Sequence, residues 1–434
     1  MVDLRWERWL DELSRAYFIA VFRPELPAPE RMRAASVARD CLVRLAEGGE
    51  SAEHTLVDEL GSADTQRRNA AARALSELGG NASVGMLVTA YVEPGRPWLA
   101  PQHLVRAARR HPIEPYLAGV TGDLPLRLQP ALIQALMAHD RPESRVLLER
   151  LVTGSEPVLA EAAVEVVASW PTLSMLWSVP RRVDGTDQHA AALVPAAIAA
   201  CMYLGAAGDP RAVDWLCERT MDDDPVHAGL AHAALGALGR PECVVELADL
   251  LEHADGAALG YALEAAESLS SAALVPALCD VVRRTAEQSG PGLDDNPADH
   301  AIRVLERITG RWVSADLSGY DRHGNLDPST RRRAALLHAS VGATLDRDGC
   351  YRLGEPLRLD HLLADLLSAA PRRARAAVLQ LRARTGHTCG FDCRGDLVDN
   401  LDAVAAWQDV VRQGAPPGRF HWHQQEVAVP MFSV

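Results

Sequence analysis

Between residues 226 and 284 the apolar positions repeat one pattern twice. Leu238, Leu247 and Leu250 return as Leu269, Leu278 and Val281, each displaced by 31 positions. Within a unit the spacing is helical: Leu259, Leu263 and Ala266 share one face, and Leu274, Leu278 and Val281 share another. A Gly-Arg-Pro at 239–241 and a Ser-Ser at 270–271 separate the paired helices. Two short helices cannot bury an apolar face alone. The pattern therefore predicts helix pairs that stack on copies of themselves.

Further units follow the same frame. Leu78, Val84 and Leu87 fall where Leu238, Val244 and Leu247 do, and residues 131–151 and 193–217 supply two more copies. Residues 156–170 form a degenerate helix whose short partner ends at Trp177 and Pro180. The opening helix, over 3–22, puts Trp6, Trp9, Leu10, Leu13 and Tyr17 on one side. Pro24, Pro27 and Pro29 end it and start a second helix that runs to about Leu45. This aromatic-rich pair does not match the repeat and reads as a cap. Longer loops interrupt the array at 180–188 and 288–299, and the stretch 312–327 is irregular. Helices resume over 330–341, 360–367 and 372–385.

The Leu-x-x-Leu helices, the Gly or Pro break, and the Asp-Pro that opens a following helix (Asp209-Pro210, Asp224-Pro225) resemble HEAT repeats. They include the bacterial kind related to bilin-lyase-type repeats. The resemblance covers roughly 63–284. It implies an all-α fold: a right-handed α-solenoid of antiparallel helix pairs with irregular caps at both ends. The region 357–407 looks like the C-terminal unit of some bacterial HEAT-repeat proteins. Thr385-Gly386 close a helix, Phe391-Asp392 follow, and the next helix carries Trp407; Thr309-Gly310 with Trp312 are an earlier echo. The expected divisions are N-terminal capping helices over 1–62, the array over 63–287, divergent helical repeats over 288–413 and an extended tail over 414–434. Such motif residues are structural, so the resemblance speaks for fold and assigns no activity.

Composition narrows the function classes. Of 434 residues, 48% are hydrophobic but only 5% aromatic, so small helix-forming residues fill the interior and little sheet is expected. Net charge is −14, and all 44 basic residues are arginine. The absence of lysine excludes a Schiff-base lysine and a phosphate-loop lysine. The acidic balance argues against broad binding along a phosphate backbone. The eight cysteines are scattered, as reduced and buried thiols would be. No leader-like start is seen, and the longest apolar run, 190–205, is interrupted by Pro195. Neither a secretory leader nor a membrane span is therefore expected, and the cytoplasm is the expected compartment.

Candidate chemistry is sparse. His387, Cys389 and Cys393 lie close on a turn and offer two thiolates and an imidazole to zinc, with Cys350 or a tail histidine as a fourth ligand. The competing reading is incidental thiols or a redox pair. His421 and His423 flank Trp422 in an aromatic tail suited to packing into a groove, its own or a partner's. The acidic run at 222–224 suits a helix entry rather than a calcium loop. Arginines cluster as Arg106, Arg109 and Arg110, as Arg181 and Arg182, at 331–333, and as Arg372, Arg373 and Arg375. Gathered on one concave side, such forks would grip an acidic partner or nucleic acid. The expected role is a non-catalytic scaffold or adaptor for a protein or peptide, with zinc as the one cofactor the residues offer. The alternatives are an enzyme or enzyme subunit with a pocket enclosed by the repeats, and nucleic-acid binding through the arginines.

Overall fold

The computed structural model describes residues 4–23, 26–92, 99–100, 102–113, 129–153, 157–168, 170, 173–185, 190–240, 243–288, 296–313, 326–368, 371–385, 387, 389–393, 395–413, 420–422 and 425–427. Among them are 21 α-helices and two short hairpins, so the fold is all-α. The chain opens with α1 (Leu4–Phe22), α2 (Ala28–Ala46), α3 (Gly49–Glu59), α4 (Thr65–Leu78), α5 (Asn81–Val92) and α6 (Gln102–Ala108). It continues with α7 (Gln129–Leu136), α8 (Pro142–Thr153), α9 (Pro157–Val167) and α10 (Ser178–Val183). The twice-written region lies within α11 (Val194–Ala206), α12 (Pro210–Arg219), α13 (Pro225–Ala237), α14 (Val244–His253), α15 (Gly256–Leu269) and α16 (Val275–Thr285). Then come α17 (Pro297–Thr309) and α18 (Pro328–Gly342), followed by a hairpin of β1 (Tyr351–Arg352) and β2 (Glu355–Pro356). The last elements are α19 (Leu359–Leu366), α20 (Pro371–Thr385), α21 (Leu401–Gln413) and a second hairpin, β3 (Phe420–Trp422) with β4 (Gln425–Val427).

Several helices start on one chemical signal. The side chains of Asp209, Asp224, Asn296 and Asp327 each accept a hydrogen bond from a backbone N–H of the first turn, and proline follows each cap. The cap satisfies a donor that the helix leaves open, and proline at the first position gives up an N–H that had no partner anyway. The breaks are equally local. Gly239 sits at φ 69 and Ser270 at φ 54, so the chain turns left-handed after α13 and after α15. The sequence pattern did not mark α3, because only Ala52 and Leu56 of its polar run are buried.

Alternate helices pack in chain order: α4 on α6, α6 on α7, α7 on α9, α9 on α11, α11 on α13, α13 on α15 and α15 on α17. Of the intervening helices, α12 packs on α11 and α13, α14 on α13 and α15, and α16 on α14, α17 and α18. The approach is close where side chains vanish. A Cβ built on Gly236 would lie 2.9 Å from Cα and O of Ala265, and one on Gly229 would lie 3.0 Å from O of Ala258. This contact between α13 and α15 is one reason the interior is filled by alanine and glycine rather than aromatics.

The C-terminal region folds back. Helix α20 lies across α11, α13 and α15, and α21 packs on α2 and α19. Trp407 and Val404 of α21 join the core of the middle helices, whereas Val398 and Leu401 join that of the N-terminal ones. Gln380 fixes α20 to the array: its amide donates to the carbonyls of Gly236 (3.2 Å) and Ser268 (2.9 Å) at the ends of α13 and α15. The tail, expected to be extended, pairs as a hairpin with Phe420 opposite Val427 and Trp422 opposite Gln425. Much of the 288–299 and 312–327 loops, His423 and the rest of the tail lie outside the described residues, as do residues 186–188 of the earlier loop.

Two glycine substitutions separate packing from propensity. Gly260→Ala, on α15 with nothing near the new methyl, is expected to raise stability by up to about 1 kcal/mol. Gly236→Ala, equally helical, is expected to lower it by about 1–3 kcal/mol because α13 and α15 must part. Urea denaturation of both variants checks the two signs.

Candidate functional site

The seam between the row of helices and the returning C-terminal unit gathers two clusters of buried charge, apart from the buried pair of Arg331 with Asp299 (2.8 Å) between α17 and α18. Its first cluster joins the ends of the chain. Asn400 shapes the loop before α21 by accepting from the N–H of Asp392 (2.8 Å) and donating to the carbonyls of Asp392 (2.9 Å) and Asp396 (3.0 Å). That places Asp396 and Asp399 against α1, α4 and α6. The Tyr17 hydroxyl donates to Asp396 at 2.9 Å, Arg106 reaches Asp396 at 3.0 Å and also Asp399, and Arg73 donates to Asp399 at 2.9 Å.

Burial drives the electrostatics here. It pushes the Asp396 carboxyl upward, but Arg73, Arg106 and the Tyr17 hydroxyl outweigh it and hold the group below its ordinary value. Burial and the Asp396 charge move Tyr17 the other way, well above a normal phenol. His103 faces Arg106, whose Nη1 lies 3.2 Å from its Nδ1. Arginine only donates, so Nδ1 accepts and the ring is the neutral tautomer with its proton on Nε2. Burial, Arg106 and Arg73 together keep His103 well below a free imidazole.

The second cluster lines a cleft of about 160 Å³ between α11, α13 and α15 on one side and α19 and α20 on the other. Arg307 of α17 donates to both oxygens of Asp365 (2.8 and 2.9 Å), and Arg352 of β1 also pairs with Asp365. Arg373 of α20 donates to Glu267 at 2.6 Å, and Arg307 Nε lies 3.5 Å from the same carboxylate. Burial alone would raise Glu267, yet Arg307 and Arg373 hold it below the usual range. Burial presses Arg307 down to about 10 and, with repulsion from Arg307, presses Arg352 down to about 9. Both remain cations at neutral pH. Beside the cleft, Arg372 pairs with Glu264, and Arg375 donates to Glu165 (3.1 Å) and Tyr203 (3.4 Å). In the neighbourhood of Arg372, Arg373 and Arg375 the row of helices is acidic, and α20 answers it with arginines.

The residues singled out in the sequence are dispersed. Arg106 and Arg109, expected on a partner surface, are paired within the chain, Arg109 with Asp392 at 2.7 Å. Arg109 meets the Phe-Asp turn of the C-terminal unit and Arg106 the aspartates that follow it, whose position relative to α6 no local pattern reveals. Arg110 and Arg181 are exposed, and Arg182 is half-buried on α10. Trp422 sits in β3. His387, Cys389 and Cys393 are not drawn into a ligand set: among the described residues no three His, Cys, Asp or Glu side chains gather closely enough to hold a metal ion. Burial pushes the Cys389 thiol up to about 11. Sequence reasoning missed Asp396, Asp365, Arg307 and Arg352, which sit singly among many similar charges.

The chain matches no family model and no curated protein. Among the described residues no helix is long and apolar enough to cross a membrane.

Two outcomes follow from the buried charge. Asp396→Asn leaves Arg73 and Arg106 undercompensated and is expected to cost about 3–5 kcal/mol of stability by chemical denaturation. Asp402→Asn, which breaks the exposed pair with Arg39, should hardly move the midpoint. The buried histidines set the pH response. Burial lowers His232 and His338 from 6.5 to about 4, and each ring has an Nε2 without a partner. Below about pH 6.5 the unfolded chain takes up protons that the folded chain refuses, so stability is present at neutral pH and lost as pH falls. By pH 5 each contributes a loss of roughly 2 kcal/mol. Melting curves at pH 7.5, 6 and 5 are expected to shift downward, and a His232→Gln/His338→Gln variant to flatten that slope.

Proposed function

We propose that the chain is a HEAT-like, right-handed α-solenoid that serves as a non-catalytic scaffold or adaptor for a protein or peptide partner. The in-order packing of alternate helices and the helix pairs written twice in the sequence support the solenoid reading. The face that such an array would offer is taken, over α11, α13 and α15, by the chain's own α20. Recognition then falls to what stays exposed.

One observation carries the docking surface. The turn between β1 and β2 is Leu353-Gly354, with both residues left-handed at φ 56 and φ 79. A two-residue turn of this kind favours asparagine at the first position, and a leucine there is strained. Leu353 is nonetheless 49% exposed, so packing does not account for it. Its backbone N–H donates to the carbonyl of Arg307, which sets it at the end of α17 where Trp312 is 52% exposed. Two exposed apolar side chains, Leu353 on the strained turn and Trp312 just past the helix end to which that turn is bonded, suit anchoring to another protein.

Replacing Leu353 separates fold from recognition. Leu353→Asn is expected to leave the melting temperature unchanged or higher, because asparagine suits the turn, while Leu353→Asn/Trp312→Ala loses the partner. Affinity purification of full-length wild-type and variant protein from the native host checks this. An unchanged set of co-purifying proteins, or none with the wild type, overturns the reading.

A further inference from the structure

We propose that the cleft between α13, α15 and α20 binds a small organic oxyanion, a carboxylate or phosphate group carried on a short apolar body, with Arg352 as its principal ligand. The inference goes beyond the scaffold reading and does not rest on it.

The inner end of the cleft is short of carboxylates. There three guanidinium groups, Arg307, Arg352 and Arg373, share two carboxylates, Glu267 and Asp365. The other charged groups along the cleft do not redress it. Arg372 is matched by Glu264, and Arg375 is matched by Glu165 outside the cleft. Glu161, raised by burial and by Glu165, forms no ion pair with Arg307, Arg352 or Arg373. His300, near Glu267, adds no negative charge.

Arg352 shows where the deficit falls. It is only 6% exposed, and one of its amino groups, Nη2, is engaged by Asp365. Its Nε and Nη1 have no hydrogen-bond partner, although both are buried and the residue lines the cleft. Buried guanidinium donors are ordinarily matched, since each open one forfeits a charge-assisted bond. The first cluster is the balanced case: Arg73 and Arg106 each reach both Asp396 and Asp399. At Arg352 the missing partner is an acceptor, and the net positive charge asks for a negative one. The cleft also presents apolar side chains: Ile198, Met202, Leu230 and Ala233 from α11 and α13, and Leu362 from α19. A charged head against arginine and a short hydrocarbon body against these side chains is the chemistry that fits both.

The test uses the full-length protein and three probes: inorganic phosphate, acetate and hexanoate, each titrated at constant ionic strength against chloride. Binding is read by isothermal calorimetry and by the shift in melting temperature. Saturable binding of hexanoate above acetate assigns a carboxylate with an apolar body, and saturable binding of phosphate alone assigns a phosphate headgroup. Either result supports the site only if Arg352→Gln weakens it about tenfold or more, the loss expected for one charge-assisted bond. Asp365 keeps Arg307 in that variant, so the fold is expected to hold. Glu267→Gln, which removes a competing carboxylate, is expected to tighten the same probe several-fold and provides a second reading should Arg352→Gln fold poorly. No saturable binding of any probe, or binding indifferent to both substitutions, overturns the proposal.

Discussion

The buried meeting of Asp396 with Tyr17, Arg73 and Arg106 is the constraint on which the rest of the molecule depends. Its members lie far apart along the chain, with Tyr17 and Asp396 separated by 379 positions and Arg106 and Asp396 by 290. None of them is satisfied until both ends of the fold are in place. A buried carboxylate gains little when paired, but it is strongly destabilising when stranded. The cluster therefore acts less as glue than as a condition: a chain whose C-terminal unit is out of place leaves charges in the interior. Apolar contacts do the holding, through Trp407 and Val404 on the middle helices and Val398 and Leu401 on the N-terminal ones.

This closure changes what a row of helices can do. An open array presents its inner face to a partner, whereas here α20 lies on α11, α13 and α15 and is bonded to two helix ends through Gln380. The arginines of α20 answer the glutamates of α9 and α15, so a basic stripe in the sequence becomes an internal seam. What remains for recognition is of two kinds: exposed apolar residues around the strained Leu353 turn, and the cleft left where α20 and the row do not quite fit.

The two charge clusters show how saturation distinguishes architecture from ligand chemistry. Both are buried, both draw their members from distant elements, and both contain several arginines. Around Asp396 two arginines meet two aspartates, each arginine reaching both. Around Asp365 and Glu267 three arginines share two carboxylates, and Arg352, which holds two donors without a partner, lines a cleft. Desolvation makes that mismatch costly in the empty protein, and the same desolvation strengthens any anion that repairs it.

Local chemistry was legible in the sequence. Helical periodicity, Asp-Pro caps and Gly or Ser breaks depend on residues within a few positions of one another, so α11 to α16 and their turns could be read directly. The apolar faces of α1, α2, α20 and α21 could be read in the same way. The alanine-rich composition foretold close helix contacts, and Gly236 against Ala265 is such a contact. The partners of the charges could not be read. Arg106 and Arg109 look like a solvated basic run because the acids that engage them, Asp396, Asp399 and Asp392, arrive only when the last quarter of the chain folds back. Arg307, Arg352 and Asp365 carry no motif, being single charges on three separate elements. Sequence sets which faces are apolar, since that is a property of spacing; tertiary structure decides which charges are buried together, since that is a property of where distant elements come to rest.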